Sequence, residues 1–297
     1  MTFGDLVLKL IFLVQTGIGV LGNAFLLLTY ASTFCPGRAL RPVNLIFTNM
    51  VVANFLVLLV KGIPQILYIW GVTHILDNTG CKLVFYIHRV ARGLSLCTTC
   101  LLSTFQAITI SSRTAGWMGL KDRALRSTGS SCFLCWISNL LINIFIPTNL
   151  EAPWRSHNYS NIQSHGLCFS EIPSPVTITR HIIVMTVSDA VFMGLMIGTS
   201  VYMVLLLCRH HQRVRHVHTL RNAHRLSPES KATQTILLLA STFILFYLTN
   251  SIVTFYNVFF TSHTWLPYAS SFLTACYPTL NPLILLLRYS QTSRFCS

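Results

Sequence analysis

Apolar stretches long enough to cross a lipid bilayer recur along this chain at about residues 6–30, 44–70, 81–112, 128–147, 179–208, 232–260 and 265–287. A bilayer core needs roughly 20 consecutive, mostly apolar residues per helix. Backbone surrounded by lipid must also satisfy its own polar groups, which a helix does within itself. The stretches therefore predict an all-α fold, a seven-transmembrane helix bundle. Those at 128–147, 232–260 and 265–287 hold no Lys, Arg, Asp or Glu. Composition agrees, because 53% of the 297 residues are hydrophobic and only 9% charged, which leaves no polar tract for a separate soluble domain. Residues 1–297 read as one membrane domain. The first stretch is longer than a signal-peptide core and has no small-residue cleavage pattern behind it, so it reads as an uncleaved anchor.

Basic residues decide which way such a bundle sits, since Lys and Arg beside membrane spans stay in the cytoplasm. Arg38 and Arg41, then Arg113, Lys121, Arg123 and Arg126, then Arg209, Arg213, Arg215, Arg221, Arg225 and Lys231, then Arg288 and Arg294 fall at alternate junctions between the stretches. The opposite junctions carry Asp5, Asp77, Glu151 and Glu171. The N-terminus is expected outside and the C-terminus inside. The net charge of +14 is then a signal of topology and of contact with anionic membrane lipid, not of nucleic-acid binding. The Asn158-Tyr159-Ser160 sequon, between the fourth and fifth stretches, falls outside, where Asn158 is open to glycosylation. Cys81 at the start of the third stretch and Cys168 in that same outer loop face the oxidising side, and they are expected to form a disulfide.

Cys97-Thr98-Thr99-Cys100 and Cys132-Phe133-Leu134-Cys135 imitate the spacing of a zinc site. Both pairs lie inside apolar stretches, where thiolates would be desolvated and no loop can wrap a tetrahedral ion. Buried, inert cysteines are expected there. Cys35, Cys208 and Cys296 lie at cytoplasmic span ends, where palmitoylation is chemically possible. The His-rich run at 209–225 reads as a solvated cytoplasmic loop. The seven carboxylates lie mostly in loops, and no Gly-rich phosphate cradle or H-E-x-x-H occurs. No enzyme, metal centre or cofactor site is expected.

Ionisable groups inside membrane spans mark functional sites. Lys61 in the second stretch, Arg89 and Arg92 in the third and Asp189 in the fifth lie at a common depth, counting ~1.5 Å per residue from the outer ends. They can line one ligand cavity. Arg89 and Arg92, three apart, project from one helix face; Asn54, Lys61 and Gln65 share a face of the second helix. Three positive groups against one carboxylate predict a small, largely apolar ligand with an anionic group such as a carboxylate or sulfate. A second arrangement pairs Asp189 with an arginine for structure and lets the other cations snorkel outward. The residues alone leave both arrangements open.

The strings GVLGNAFLLL, LRPVNLIFTNMVVANFLVLLVKGIPQ, GCKLVFYIHRVARGLSLCTTCLLSTFQAITISSR, HNYSN, HGLCFS and PTLNPLILLLR together resemble the vomeronasal type-1 receptors. These are a pheromone-receptor family of seven-helix G-protein-coupled receptors. The resemblance spans essentially the whole chain, and the second and third strings differ from those of most other seven-helix receptors. It implies a plasma-membrane chemosensory receptor that binds a small pheromone-like molecule between its helices and activates an inhibitory-class heterotrimeric G protein. Arg113, Arg221, Arg225 and Lys231 would face that G protein. Bitter taste receptors share the short termini but not these strings. A transporter, the alternative from another class, commonly shows inverted repeats and paired broken helices, and the chain has neither signature.

Pro282 has no amide hydrogen for the helix ladder, so the carbonyl it frees must find a partner inside the bundle. Asn281 is a candidate donor. In rhodopsin-like receptors a similar Asn-Pro element bends the seventh helix and bonds to an asparagine of the first, which Asn23 matches. The resemblance thus implies a switch built from Asn23, Asn281 and Pro282. The chain departs from that pattern where Ile110-Ser111-Ser112-Arg113 stands in place of Asp/Glu-Arg-Tyr, Asn54 in place of an aspartate and Leu285 in place of a tyrosine. An ionic lock between helices must therefore be built differently or be absent.

Overall fold

A computed structural model describes residues 3–31, 42–72, 76–111, 115–144, 162–165, 168–171, 175–217, 228–259 and 265–293. Helix α1 (Phe3–Ala31) is followed by α2 (Pro42–Val57), which passes through a π-helical turn (Leu58–Gly62) into α3 (Ile63–Ile69). Then come α4 (Asn78–Ile110), α5 (Ala115–Asn143), α6 (Pro175–Val217), α7 (Pro228–Phe259) and α8 (Leu266–Ser293). Between α5 and α6, strands β1 (Ile162–His165) and β2 (Cys168–Glu171) form an antiparallel ribbon, with Ile162 opposite Glu171 and His165 opposite Cys168. The otherwise helical expectation did not include this ribbon.

Six helical runs among the described residues are long and apolar enough to cross a membrane: Gly4–Ala31, Pro42–Ile69, Thr79–Ile110, Thr186–Arg209, Ser230–Thr254 and Tyr268–Leu287. The expected fourth span falls in α5, which is as long as α1 at 29 residues. Its first half, however, carries Lys121, Asp122, Arg123 and Arg126, and its apolar part over 128–143 is short for a bilayer core. At α6 the departure runs the other way. The helix continues to Val217, so the first half of the His-rich run is helical rather than loop. Residues 209–217 contain no Gly or Pro, and each residue added to an existing helix gains a hydrogen bond.

Local chemistry accounts for the helix starts. Asp77 caps α4 by accepting a hydrogen bond from the Gly80 N–H at 2.7 Å, which satisfies one of the free donors of the first turn. Pro228 opens α7, where its missing N–H and fixed φ cost nothing.

Helix α4 stands at the centre, against α2, α5, α6 and α7, while α1 packs on α2 and α8, and α7 on α8. The outer surface is apolar, with Leu28 73% and Ile252 69% exposed, whereas Asn23, Asn54 and Asn281 are fully buried. This inversion suits a lipid solvent, in which helices associate through close packing and interhelical hydrogen bonds rather than hydrophobic burial. Gly19 and Gly22 let α1 approach α8. A Cβ on Gly19 would lie 2.6 Å from Leu58 Cδ1 and 2.8 Å from Thr279 Oγ1, and one on Gly22 would lie 3.0 Å from the Pro282 ring.

That approach resolves the proline problem in α8, which contains Pro278 and Pro282 yet remains one helix. The carbonyl that Pro282 leaves without a donor is that of Pro278, four residues back. Asn23 Nδ2 donates to it at 2.9 Å while also donating to Gly19 O at 2.7 Å. Asn281 does not supply the bond expected of it; its amide is directed to the Tyr277 hydroxyl at 3.4 Å. Side chains on a helix point back toward its N-terminus, so Asn281 reaches residue 277 and the freed carbonyl is met from α1. Replacing Asn23 by Ala should leave that buried carbonyl unpaired at a cost of about 1–3 kcal/mol. Thermal unfolding of the purified protein in detergent checks this, and an unchanged midpoint would contradict it.

Candidate functional site

Pro64 cannot donate to the carbonyl of Val60, and just before it the second span widens into the π turn that carries Lys61. Such single-turn widenings are frequent at functional sites. Gly62 in the same turn admits α1, since a Cβ there would lie 2.7 Å from Thr16 Cγ2. Lys61 thereby lines a narrow cleft with Phe12 and Thr16 of α1, Gln65 of α3, and Ser271 and Thr274 of α8.

On α4, His88 and Arg92 are four residues apart and so lie ~40° apart around the helix at ~100° per residue. One turn further along the same face, Ser95 Oγ donates to Asn54 Oδ1 at 2.7 Å, and the Thr99 and Tyr277 hydroxyls are 3.0 Å apart. The Arg92 guanidinium lies 4.6 Å from the centre of the Tyr247 ring, a cation–π contact. The Tyr247 hydroxyl donates to Asp189 Oδ2. Arg92, Tyr247 and Asp189 thus form one chain from α4 through α7 to α6.

The remaining charges adjoin this chain. Arg89 interacts electrostatically with Arg92, Asp189 and Tyr247 while keeping exposed surface, so it is the open-sided member of the group. Lys61 lies close enough to Arg92 and Arg89 for their charges to interact. His88 interacts with all three cations. It is only 8% exposed, and its Nε2 has no hydrogen-bond partner among the described residues.

The four ionisable residues singled out in the sequence are therefore neighbours, though no arginine is the hydrogen-bond partner shown for Asp189 among the described residues. Asp189 is held by a tyrosine hydroxyl, and Lys61 opens toward α1 and α8. His88 and Tyr247 carry no permanent charge, so they do not stand out in an apolar run. The four-residue spacing of His88 and Arg92 was the available signal for the first; nothing local marks Tyr247.

Of the other expected residues, Asn158, Arg113, Arg221 and Arg225 lie outside the described residues, as does the Cys168 side chain. Cys81 takes part in a disulfide. Lys231 is half-buried near the start of α7.

Comparison with known proteins supplies what the geometry leaves open. Residues 6–297 match the model of the vomeronasal organ pheromone receptor family. The chain is 40% identical over 283 residues to the human vomeronasal type-1 receptor 4, covering 95% of this chain and 94% of that one. It is 37% identical over all 297 residues to the human vomeronasal type-1 receptor 1, of which 84% is covered. A zebrafish (Danio rerio) protein, olfactory receptor class A-like protein 1, is 30% identical over 279 residues, covering 93% of this chain and 87% of its own length. The chain belongs to the vomeronasal organ pheromone receptor family. Its relatives are receptors by name, and its multiple apolar helices make it a multi-pass membrane protein.

Two further links join helices of this vomeronasal-family chain at the end of α4 opposite the charged group. Gln106 Nε2 donates to Thr233 Oγ1 of α7 at 3.1 Å, and the Ser111 and Tyr202 hydroxyls, from α4 and α6, are 2.8 Å apart. The cysteine pairs correct a second expectation. Cys97 and Cys135 are not inert: they form a disulfide between α4 and α5, with Cα atoms 6.1 Å apart, while Cys100 and Cys132 are free and buried. Antiparallel packing of α4 on α5 brings the first cysteine of one pair to the last of the other. Ala53, Leu94, Trp136 and Phe192 pack around the bond. Changing Cys97, Cys135 or both to serine should cost the same, about 2–4 kcal/mol, because either single change already opens the bond. Thermal denaturation of the three variants checks this; a double variant losing twice the single loss would show the sulfurs to be independent.

Proposed function

We propose that this chain is a G-protein-coupled chemosensory receptor of the plasma membrane, with seven spans and its N-terminus outside. It binds a small pheromone-like molecule between its helices and activates an inhibitory-class G protein. The observation that carries this reading is the family match across residues 6–297. α5 serves as the fourth span, its apolar half continuing in the sequence through Phe145 and Ile146 to Pro147. Cys81 bonds to Cys168, tying the start of α4 to β2, and Asn158 carries a glycan. Lys61, Arg89, Arg92 and Asp189 contact the ligand. Asn23 of α1 with Asn281 and Pro282 of α8 form the adjustable element between the two helices.

In this orientation the Gln106–Thr233 and Ser111–Tyr202 links lie at the cytoplasmic end. They stand where the Asp/Glu-Arg-Tyr element is missing, as uncharged ties from α4 to α7 and α6. Arg113, Arg221, Arg225 and Lys231 meet the G protein nearby. The same charges favour anionic inner-leaflet lipid by about 1 kcal/mol each.

Nucleotide exchange on an inhibitory-class G protein, measured in receptor membranes challenged with small-molecule panels, tests the function. Neutralising Arg221, Arg225 and Lys231 together should lower exchange at least tenfold at equal surface expression. Unchanged exchange would leave those charges a role in topology and lipid contact alone. Asn158→Gln should abolish the mobility shift on glycosidase treatment; a shift that persists would overturn the orientation or the glycan assignment.

A further inference from the structure

At the end of the bundle opposite the charged group, α6 and α7 leave a gap between them. Each is tied there to α4, α6 through Tyr202 and Ser111 and α7 through Thr233 and Gln106. The cleft that separates them holds about 650 Å³, which is within the range of small-molecule sites. Val201, Val204 and Leu205 line it from α6, and Leu237 and Leu238 from α7. Val201 is 54% and Leu205 53% exposed, so the cleft opens sideways into the lipid around the bundle. Its occupant comes from the bilayer.

Polar groups interrupt these walls at one level. A serine in a membrane helix commonly spends its hydroxyl on a carbonyl three or four residues back, as Ser241 does on Leu238 O at 3.0 Å. Ser200 does not. Thr199 donates to the Met196 carbonyl at 3.1 Å, and Ser200 Oγ is buried with no hydrogen-bond partner among the described residues, a disfavoured state. Gln234 lines the same cleft from α7. Tyr202 meets Ser111, which caps the end of α4, and Thr233 meets Gln106 five residues earlier. Ser200 and Gln234 therefore belong to the layer of the last two turns of α4, near the membrane surface. From Gln234 the α7 wall continues to Ile244, about 15 Å deeper at 1.5 Å per residue.

These dimensions select among bilayer components. The lining residues carry no charge, so the occupant is neutral. Spread over that depth, the volume gives a mean section of about 40 Å². An extended acyl chain, about 4 Å across at carbon contact distances, fills less than half of it, and a helix about 10 Å in diameter does not enter. A rigid fused-ring body fills it. A single hydroxyl on that body is both donor and acceptor, which suits a serine hydroxyl on one wall and a carboxamide on the other.

We propose that the α6–α7 cleft is a binding site for a membrane sterol. The sterol hydroxyl accepts from Ser200 Oγ and donates to the Gln234 carboxamide oxygen, and the ring system lies between the valines of α6 and the leucines of α7. The bound sterol braces two helices that are otherwise joined at this level through α4. The site is separate from the charged group and does not depend on coupling to a G protein.

Photolabelling tests this on the purified full chain in discs of phosphatidylcholine alone. The probe is cholesterol carrying a diazirine on its ring system, with labelled peptides identified by mass spectrometry. Label is expected within 200–205 and 234–244, and unmodified cholesterol should compete for it at least ten times better than its 3-deoxy analogue. Ser200→Ala and Gln234→Leu should each weaken labelling at least tenfold, whereas Ser200→Thr, which keeps the hydroxyl, should retain it. Val204→Trp, at a lipid-exposed position that tolerates bulk, should fill the cleft and abolish it. Label spread evenly over the lipid-facing helices, equal competition by the deoxy analogue, or competition by added phosphatidylcholine alone overturns the proposal. The contrast between cholesterol and the deoxy analogue on the unmodified chain decides it even where a variant fails to fold.

Discussion

A carbonyl released inside lipid has no water to turn to, and this requirement organises the bundle around α8. Pro282 frees the Pro278 carbonyl, and Asn23 of α1 supplies the donor. That bond needs α1 and α8 to lie closer than side chains at Gly19 and Gly22 would allow. Two glycines, one asparagine and one proline, far apart in the chain, are thus one arrangement. Through Tyr277, which meets Thr99, Asn281 and Met50, the same helix is tied to α4 and α2.

Helix α4 carries polar contacts in three successive layers. His88 and Arg92 belong to the charged group, Ser95 and Thr99 to a neutral layer of carboxamides and hydroxyls, and Gln106 and Ser111 to the links with α7 and α6. The Cys97–Cys135 bond fastens α4 to α5 at the level of the neutral layer. Without a hydrophobic drive between helices in lipid, these directional contacts and close packing are what make one bundle geometry preferable to another. On the proposed function, the ligand end and the G-protein end are joined by a single unbroken helix.

Much of the fold was legible because lipid imposes a simple rule on sequence. A long apolar run has little choice but to be a helix, and the runs expected from the sequence correspond to helices in the structure. Boundaries followed less clearly. The start of α5 and the extension of α6 to Val217 depend on helix continuation through polar residues, which hydropathy does not register. The candidate site was half legible. Lys61, Arg89, Arg92 and Asp189 stood out because charge in an apolar run is conspicuous, whereas Tyr247 and His88 blend into their surroundings until Asp189 and Lys61 are placed beside them.

The sequence by itself determined the apolar helical runs, the asymmetry of charge between their junctions, the family, and which polar residues interrupt the apolar runs. All but the family follow from composition and period, which are local properties, and the family follows from the strings matched along the chain. Only the tertiary structure decided the partners: Asn23 rather than Asn281 for the freed carbonyl, Tyr247 rather than an arginine for Asp189, and Cys135 for Cys97. Which side chain meets which depends on how each helix is rotated and how closely its neighbour approaches. Those quantities are set by packing across the whole bundle, so no single stretch of sequence contains them.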